Sequence, residues 1–210
     1  MTTTIVLATR NKGKIAELER TLSDFGLTVI GLDAFPEIGD IVEDGVTFEE
    51  NSLIKARTVA LATGHIAVAD DSGLEVDALN GAPGVYSARY SSDRPDLPGP
   101  GVDDRNNQKL LEALAAVPDE KRTARFRCVM SAYAPNGEYI TASGAWEGRI
   151  GHEYKGDNGF GFDPLFIDPV DGKHSAELPK EEKNRRSHRG NALKALLVKW
   201  PAFWAKVNNG

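Results

Sequence analysis

Five short stretches of this 210-residue chain hold residue types whose spacing could do chemistry. "ATRNKGK" crowds Thr9, Arg10, Asn11, Lys12, Gly13 and Lys14 onto one turn between an apolar run and a helix-like stretch. Backbone N–H groups at a helix N-terminus point outward unpaired and favour an anion. Lysines oppose the dipole at that end, so a phosphate is the partner that fits them; a solvated basic turn is the alternative. "ADDSG" sets Asp70 and Asp71 at the end of an apolar strand, where α/β proteins place ligands. Neighbours on a strand face opposite ways, so only one of the pair would meet a ligand; an aspartate-rich turn capping its own amides is the alternative. "VEDG" holds Glu43, which with Asp71 would complete an all-oxygen Mg²⁺ site. Mg²⁺ needs only one or two protein carboxylates beside water and substrate phosphate. Standing alone, the segment reads as an exposed acidic loop. Lys55 follows on the next helix, where a lysine is more often simply solvated.

The fourth stretch, "GDNGFGFDP", spans Gly156 to Pro164. It lacks the Gly-Lys-Ser/Thr of a P-loop and does not join a first strand to its helix as a dinucleotide fingerprint does. Glycines around Phe160 and Phe162 suggest a loop presenting one ring as a stacking surface, or else a loop with core aromatics. In the fifth, "EEKNRRSHRG", Ser187 caps the final helix and puts His188 and Arg189 in its first turn, with Lys183 nearby. Cations there are again mismatched to the dipole and point to an anionic or polar ligand.

The elements that must position these residues follow from periodicity. Ile5–Ala8 reads as a buried strand, and 12–25 as a helix with Ile15, Leu18, Leu22 and Phe25 on one stripe, closed by Gly26. Leu27–Gly31 is the next strand, and 32–46 an acidic loop. Thr47 and Glu50 have capping-box spacing for a helix that Gly64 stops. Ile66–Ala69 reads as a short strand ending at Asp70, and Leu74–Leu79 as a separate half-exposed one before the Asn80-Gly81 turn. The Pro/Gly-rich segment 91–104 reads as a mobile surface loop, with Asp103 or Asp104 capping a helix to about Val117. Residues 123–134 and 138–150 form a hairpin, 165–167 a strand, and the tail is helical with Leu193, Leu196, Leu197 and Trp200 as its stripe, broken or bent at Pro201. Strands and helices in this order give an α/β fold with a mixed sheet and a second lobe, and no segment reads as an independent second domain.

Composition narrows the function. A net charge of −6 disfavours a duplex-coating or RNA-binding role, which needs basic surface. The four histidines lack zinc-ligand spacing, and the single cysteine, Cys128, excludes an intramolecular disulfide. With no signal-peptide pattern and no apolar run that spans a membrane, a cytoplasmic location is the expectation.

The five stretches in this order, with "FEENSLIKA", "GAPGVYSARY" and "FGFDPLF", resemble the inosine triphosphate pyrophosphatase family from about Ile5 to about Leu197. The resemblance implies an elongated mixed α/β sheet with flanking helices, the nucleotide cleft lying between two lobes, and a homodimer. It implies Mg²⁺-dependent cleavage of purine nucleoside triphosphates with damaged bases (ITP, dITP, XTP) to monophosphate and pyrophosphate. It matches Thr9, Asn11 and Lys14 to the phosphate cradle, Asp71 to catalysis and metal, Ser72 to substrate and Lys55 to a family lysine; attack on an anionic phosphoryl group needs its charge neutralised, which gives Lys14 and Lys55 catalytic roles beside Mg²⁺. Phe160, Gly161, Phe162, Asp163, Lys183, His188 and Arg189 fall to the substrate. Two departures stand out. Val42 occupies a position where some members carry a metal-binding glutamate, with Glu43 one residue later, and the loop from Ser91 to Asp104 is longer than usual; Arg10 in addition replaces a common glycine and would add a phosphate contact. A noncatalytic nucleotide sensor would keep the cradle without needing Asp71 or a metal. A nicotinamide oxidoreductase would use the Gly156–Gly161 glycines, but they sit in the wrong place.

Overall fold

The computed structural model describes residues 3–12, 15–16, 18–19 and 27–208. Gly13, Lys14, much of the expected first helix and its Gly26 cap lie outside the described residues. A six-stranded sheet runs in the order β2-β1-β3-β4-β5-β6. Its strands are β1 (Thr3–Leu7), β2 (Leu27–Gly31), β3 (Ile66–Val76), β4 (Thr123–Tyr133), β5 (Tyr139–Ile150) and β6 (Phe166–Ile167). β1 pairs in parallel with β2 and β3, while β5 and β6 are antiparallel, so the sheet is mixed as expected. Helices α1 (Phe48–Thr63), α2 (Val102–Ala113), α3 (Lys180–Arg186) and α4 (His188–Asn208) flank it.

The chain forms two compact units, each gathered from separated segments. One comprises Met1–Asp71, Val129–Ser143 and Ala192–Gly210, and the other Ser72–Cys128 and Gly144–Asn191. The first has a core of Val6, Leu32, Ile38, Val59, Ala60 and Ala67. In the second, Leu74, Leu110 and Leu114 pack with Phe126, Trp146, Phe162 and Phe166. Among these aromatics, Phe126 and Phe166 lie 4.4 Å apart between ring centroids.

Local signals set most boundaries. The Thr47 hydroxyl accepts from the Glu50 N–H (3.1 Å), the Glu50 carboxylate accepts from the Thr47 N–H (3.0 Å), and Gly64 ends α1 in the left-handed region. Two expectations are corrected, and of the two outcomes expected at Pro201 the break does not occur. Asp70-Asp71-Ser72-Gly73 does not interrupt a strand: β3 runs unbroken through it. Gly73 permits this, because a Cβ there would lie 2.4 Å from Ser87 Oγ, and that hydroxyl accepts the next N–H, of Leu74, at 2.8 Å. Helix α2 begins at Val102 and ends at Ala113, with Gly101 as its cap; Asp104 reaches back to accept the Gly101 N–H at 3.0 Å. Helix α4 continues through Pro201, which costs a backbone hydrogen bond, because buried Trp200 and Phe203 hold the turn edge to face.

Candidate active site

The first group of functional side chains lies in the first unit. Leu7 of β1 pairs with Val68 of β3, so the turn after β1 leaves the sheet at the end where β3 reaches Asp71. On that turn the Asn11 N–H donates to Thr9 Oγ1 (3.2 Å), and the Leu32 N–H donates to the Thr9 carbonyl (3.0 Å). Arg10 donates to the carbonyl of Ile38 at 2.6 Å, so part of its guanidinium serves the acidic loop. Lys12 is exposed.

Lys55, on α1, stands between two carboxylates. Its ammonium is 3.1 Å from Glu43 and 3.6 Å from Asp71. Asp71 thus belongs to a built cluster rather than to a turn that caps itself. Sequence reasoning missed Asn51, one helical turn before Lys55 on the same face of α1. The Asn51 amide is buried, donates to Asp71 Oδ2 (3.2 Å), and accepts the Gly45 N–H (2.9 Å). It therefore ties the loop carrying Glu43 to the strand carrying Asp71. The available signal was spacing: Thr47, Asn51 and Lys55 recur every four residues.

The donor set suits a hard divalent cation. Two carboxylates already flank one positive charge, and Mg²⁺ asks no more of a protein than one or two such groups. Among the described residues no cluster of three or more histidine, cysteine, aspartate or glutamate side chains forms a complete metal site, so water and substrate phosphate would have to supply the remaining ligands.

The second group lies in the second unit. In the glycine-rich loop the two phenylalanines separate: Phe160 is 69% exposed, whereas Phe162 is 4% exposed and packs in the core. Of the two rings that could serve as a stacking surface, that of Phe162 is taken up by packing and that of Phe160 is exposed. Asp163 is the loop's buried anchor. It accepts the Phe160 N–H (2.9 Å) and the Ser175 hydroxyl (2.6 Å), and it pairs with Lys183. Gly159 sits at φ +87°, and a Cβ there would lie 2.1 Å from Asp163 Oδ2, so no larger residue is compatible with this ion pair. Lys183 Nζ stands 5.7 Å from the Phe160 centroid.

Ser187 caps α4 as its position suggested, its hydroxyl accepting the Gly190 N–H at 3.1 Å. That fixes His188 and Arg189 in the first turn. The His188 ring stacks on Phe126 (5.1 Å, 22°), and Arg189 donates to Ser72 Oγ at 3.4 Å. Just before the cap, Arg186 pairs with buried Asp168, which also accepts the Trp146 indole N–H (3.2 Å).

Residues 5–199 match the family model described as the Ham1 family. The chain belongs to the Ham1 family. A Ham1 relative from Nitratidesulfovibrio vulgaris, named dITP/XTP pyrophosphatase, is 67% identical over 201 residues, covering 96% of this chain and 97% of the relative. Another of that name, from Desulforamulus reducens, is 52% identical over 193 residues, covering 92% and 93%. The solved structure of a HAM1 protein from Coxiella burnetii superposes with a TM-score of 0.85 at 43% identity, covering 95% of this chain and 99% of that one.

Proposed function

We propose that this Ham1 protein hydrolyses purine nucleoside triphosphates with non-standard bases (dITP, XTP and ITP) to the monophosphate and pyrophosphate. The observation that carries the reading is Lys55 held between Asp71 and Glu43, in a chain 67% identical to a dITP/XTP pyrophosphatase. A sensor that only bound nucleotide would have no use for a lysine shared by two partly buried carboxylates, and nothing supports that alternative.

The reaction adds water across the α–β phosphoanhydride. The water oxygen bonds to phosphorus, the bridging P–O bond breaks, and pyrophosphate leaves. Asp71 accepts the water proton, with Asn51 fixing the orientation of its carboxylate. Lys55 supplies positive charge beside the reacting phosphates, and Thr9, Asn11 and the backbone of the turn after β1 donate to phosphate oxygens. Asp71 and Glu43 would hold Mg²⁺, which when bound neutralises phosphate charge as a Lewis acid. Phe160 stacks on the purine, while Lys183, His188 and Arg189 supply the polar contacts to the nucleoside. A homodimer and a cytoplasmic location are further parts of this proposal; no described helix is long and apolar enough to cross a membrane.

The test is product identification. ITP, XTP, dITP, GTP and ATP are each incubated with the protein and Mg²⁺, and pyrophosphate is distinguished from orthophosphate. Pyrophosphate release from the first three, abolished by chelation and restored by Mg²⁺, is expected. Binding without turnover would favour the sensor, and light scattering gives the oligomeric state.

A further inference from the structure

We infer that Asp103 and Asn107 of α2 are positioning residues that clamp Gly161 and so set the Phe160 ring for stacking. The inference rests on the reading of Phe160 as the purine platform. Asp103 Oδ2 accepts the Gly161 N–H at 2.8 Å, and Asn107 Nδ2 donates to the Gly161 carbonyl at 2.8 Å. The two residues are four apart and share a helix face, so one rigid element grips both polar groups of a single residue.

The consequence falls on Phe160. Its own N–H is held by Asp163 (2.9 Å) and its carbonyl accepts the Asp163 N–H (3.3 Å). With the Gly161 N–H held by Asp103, the peptides on both sides of Phe160 are fixed, and with them the direction of its Cα–Cβ bond. A ring 69% exposed gains little from core packing, so backbone restraint sets the direction in which it leaves the chain, and Lys183 stands beside it at 5.7 Å. Such restraint lowers the cost of ordering a stacking surface when a base arrives.

Helix α2 is well placed to serve as the fixed jaw. Leu110 and Leu114 on the same face are fully buried in the core of the second unit. The neighbouring Asn106 is spent on anchoring: it accepts from the Ser91 N–H and hydroxyl (2.8 Å each) and donates to the Ser87 carbonyl (3.2 Å). Asn107 is different. It is 2% exposed, and its buried Oδ1 has no hydrogen-bond partner among the described residues. An apolar side chain would leave no such acceptor unsatisfied, so the amide donation to Gly161 is what this position retains.

The test uses the full-length protein and steady-state kinetics with ITP. Asp103→Ala and Asn107→Ala should each raise KM about tenfold, the lower end of what losing one base–aromatic stack costs, with kcat within about twofold. Asp103→Asn keeps an acceptor and should restore most of the loss. In a Phe160→Ala background neither alanine substitution should add further, because the ring they position is gone. Asp103 is exposed, so its variants remain informative even if Asn107→Ala fails to fold. Additive effects in the Phe160→Ala background, or an unchanged KM in Asp103→Ala, would overturn the clamp while leaving Phe160 as the platform. A Phe160→Ala protein with wild-type KM would instead overturn the platform reading and the clamp with it.

Discussion

At the scale of single residues the proposed chemistry depends on Asp71, and its neighbours can be ranked. Asp71→Asn removes one charge at nearly constant volume and should lower kcat roughly a hundredfold or more with the fold intact. Asp70→Asn should cost far less, because successive residues of β3 face opposite ways. Equal losses in the two variants would show that the assignment of Asp71 is wrong. Asn51→Ala removes both the donor to Asp71 and the acceptor for Gly45, and should reduce kcat/KM about ten- to hundredfold, as loss of a group orienting a ligand side chain does. Lys55→Met leaves two carboxylates without the cation between them. Added Mg²⁺ should then raise the melting temperature of the variant more than that of the wild type. Identical thermal shifts would argue that Asp71 and Glu43 do not share a cation.

At the scale of elements, stability follows from caps and strand ties. Thr47→Ala breaks the capping box of α1 and should cost about 1 kcal/mol in denaturant unfolding. In the second unit Arg125 of β4 joins Asp77, after β3, to Glu147 of β5, at 2.8 and 2.9 Å. The hydrogen bonds from Arg125 and Thr123 hold the Asp77 carboxyl below its ordinary value. A carboxylate depressed in the folded state contributes stability that is complete above its unfolded pKa of about 4 and is lost as pH falls through the folded value. Asp77→Asn should therefore be less stable than wild type at pH 7, by a modest amount because the side chain is well solvated. The gap should close between about pH 4 and the lower folded value, as followed by urea midpoints across pH. A gap that stays constant down to pH 2 would mean that the effect is not ionic.

At the scale of the whole molecule the two units carry different halves of the proposed work, and their variants should separate. Hypoxanthine and xanthine offer a carbonyl at C6 where adenine offers an amino group. A donor such as Arg189 donates to the first and meets a second donor in adenine. A site built on one such hydrogen bond can reject the mismatched base by roughly four to five orders of magnitude. Guanine shares the carbonyl and should be excluded less strongly. Arg189→Ala should lower ITP turnover and compress the ITP/ATP ratio of kcat/KM. Lys55→Met should lower turnover of every triphosphate by a similar factor and leave that ratio in place. If wild type hydrolyses ATP as well as ITP, base selection is not the role of the second group.

The sequence by itself determined the features governed by neighbours along the chain. The Thr47–Glu50 cap, the Gly64 stop, the Ser187 cap and the tight turn before β5 each depend on a few adjacent residues, and each lies where its pattern put it. Family membership was equally legible, because ordered motifs survive without knowledge of packing. Tertiary structure decided what distant contacts control. Asp70–Gly73 has the composition of a turn, and it stays extended because Ser87, thirteen residues beyond Leu74, takes the hydrogen bond of Leu74 and leaves room only for glycine at 73. Phe160 and Phe162 have nearly the same glycine-flanked surroundings in sequence, yet burial against Leu165 and Phe166 assigns one to the core and leaves the other exposed. Asn51 and Asn107 look like ordinary polar helix residues until the strand and loop they hold are in place. A pattern of two to five residues encodes a backbone angle or a cap, whereas burial and partnership depend on segments that only the folded chain brings together.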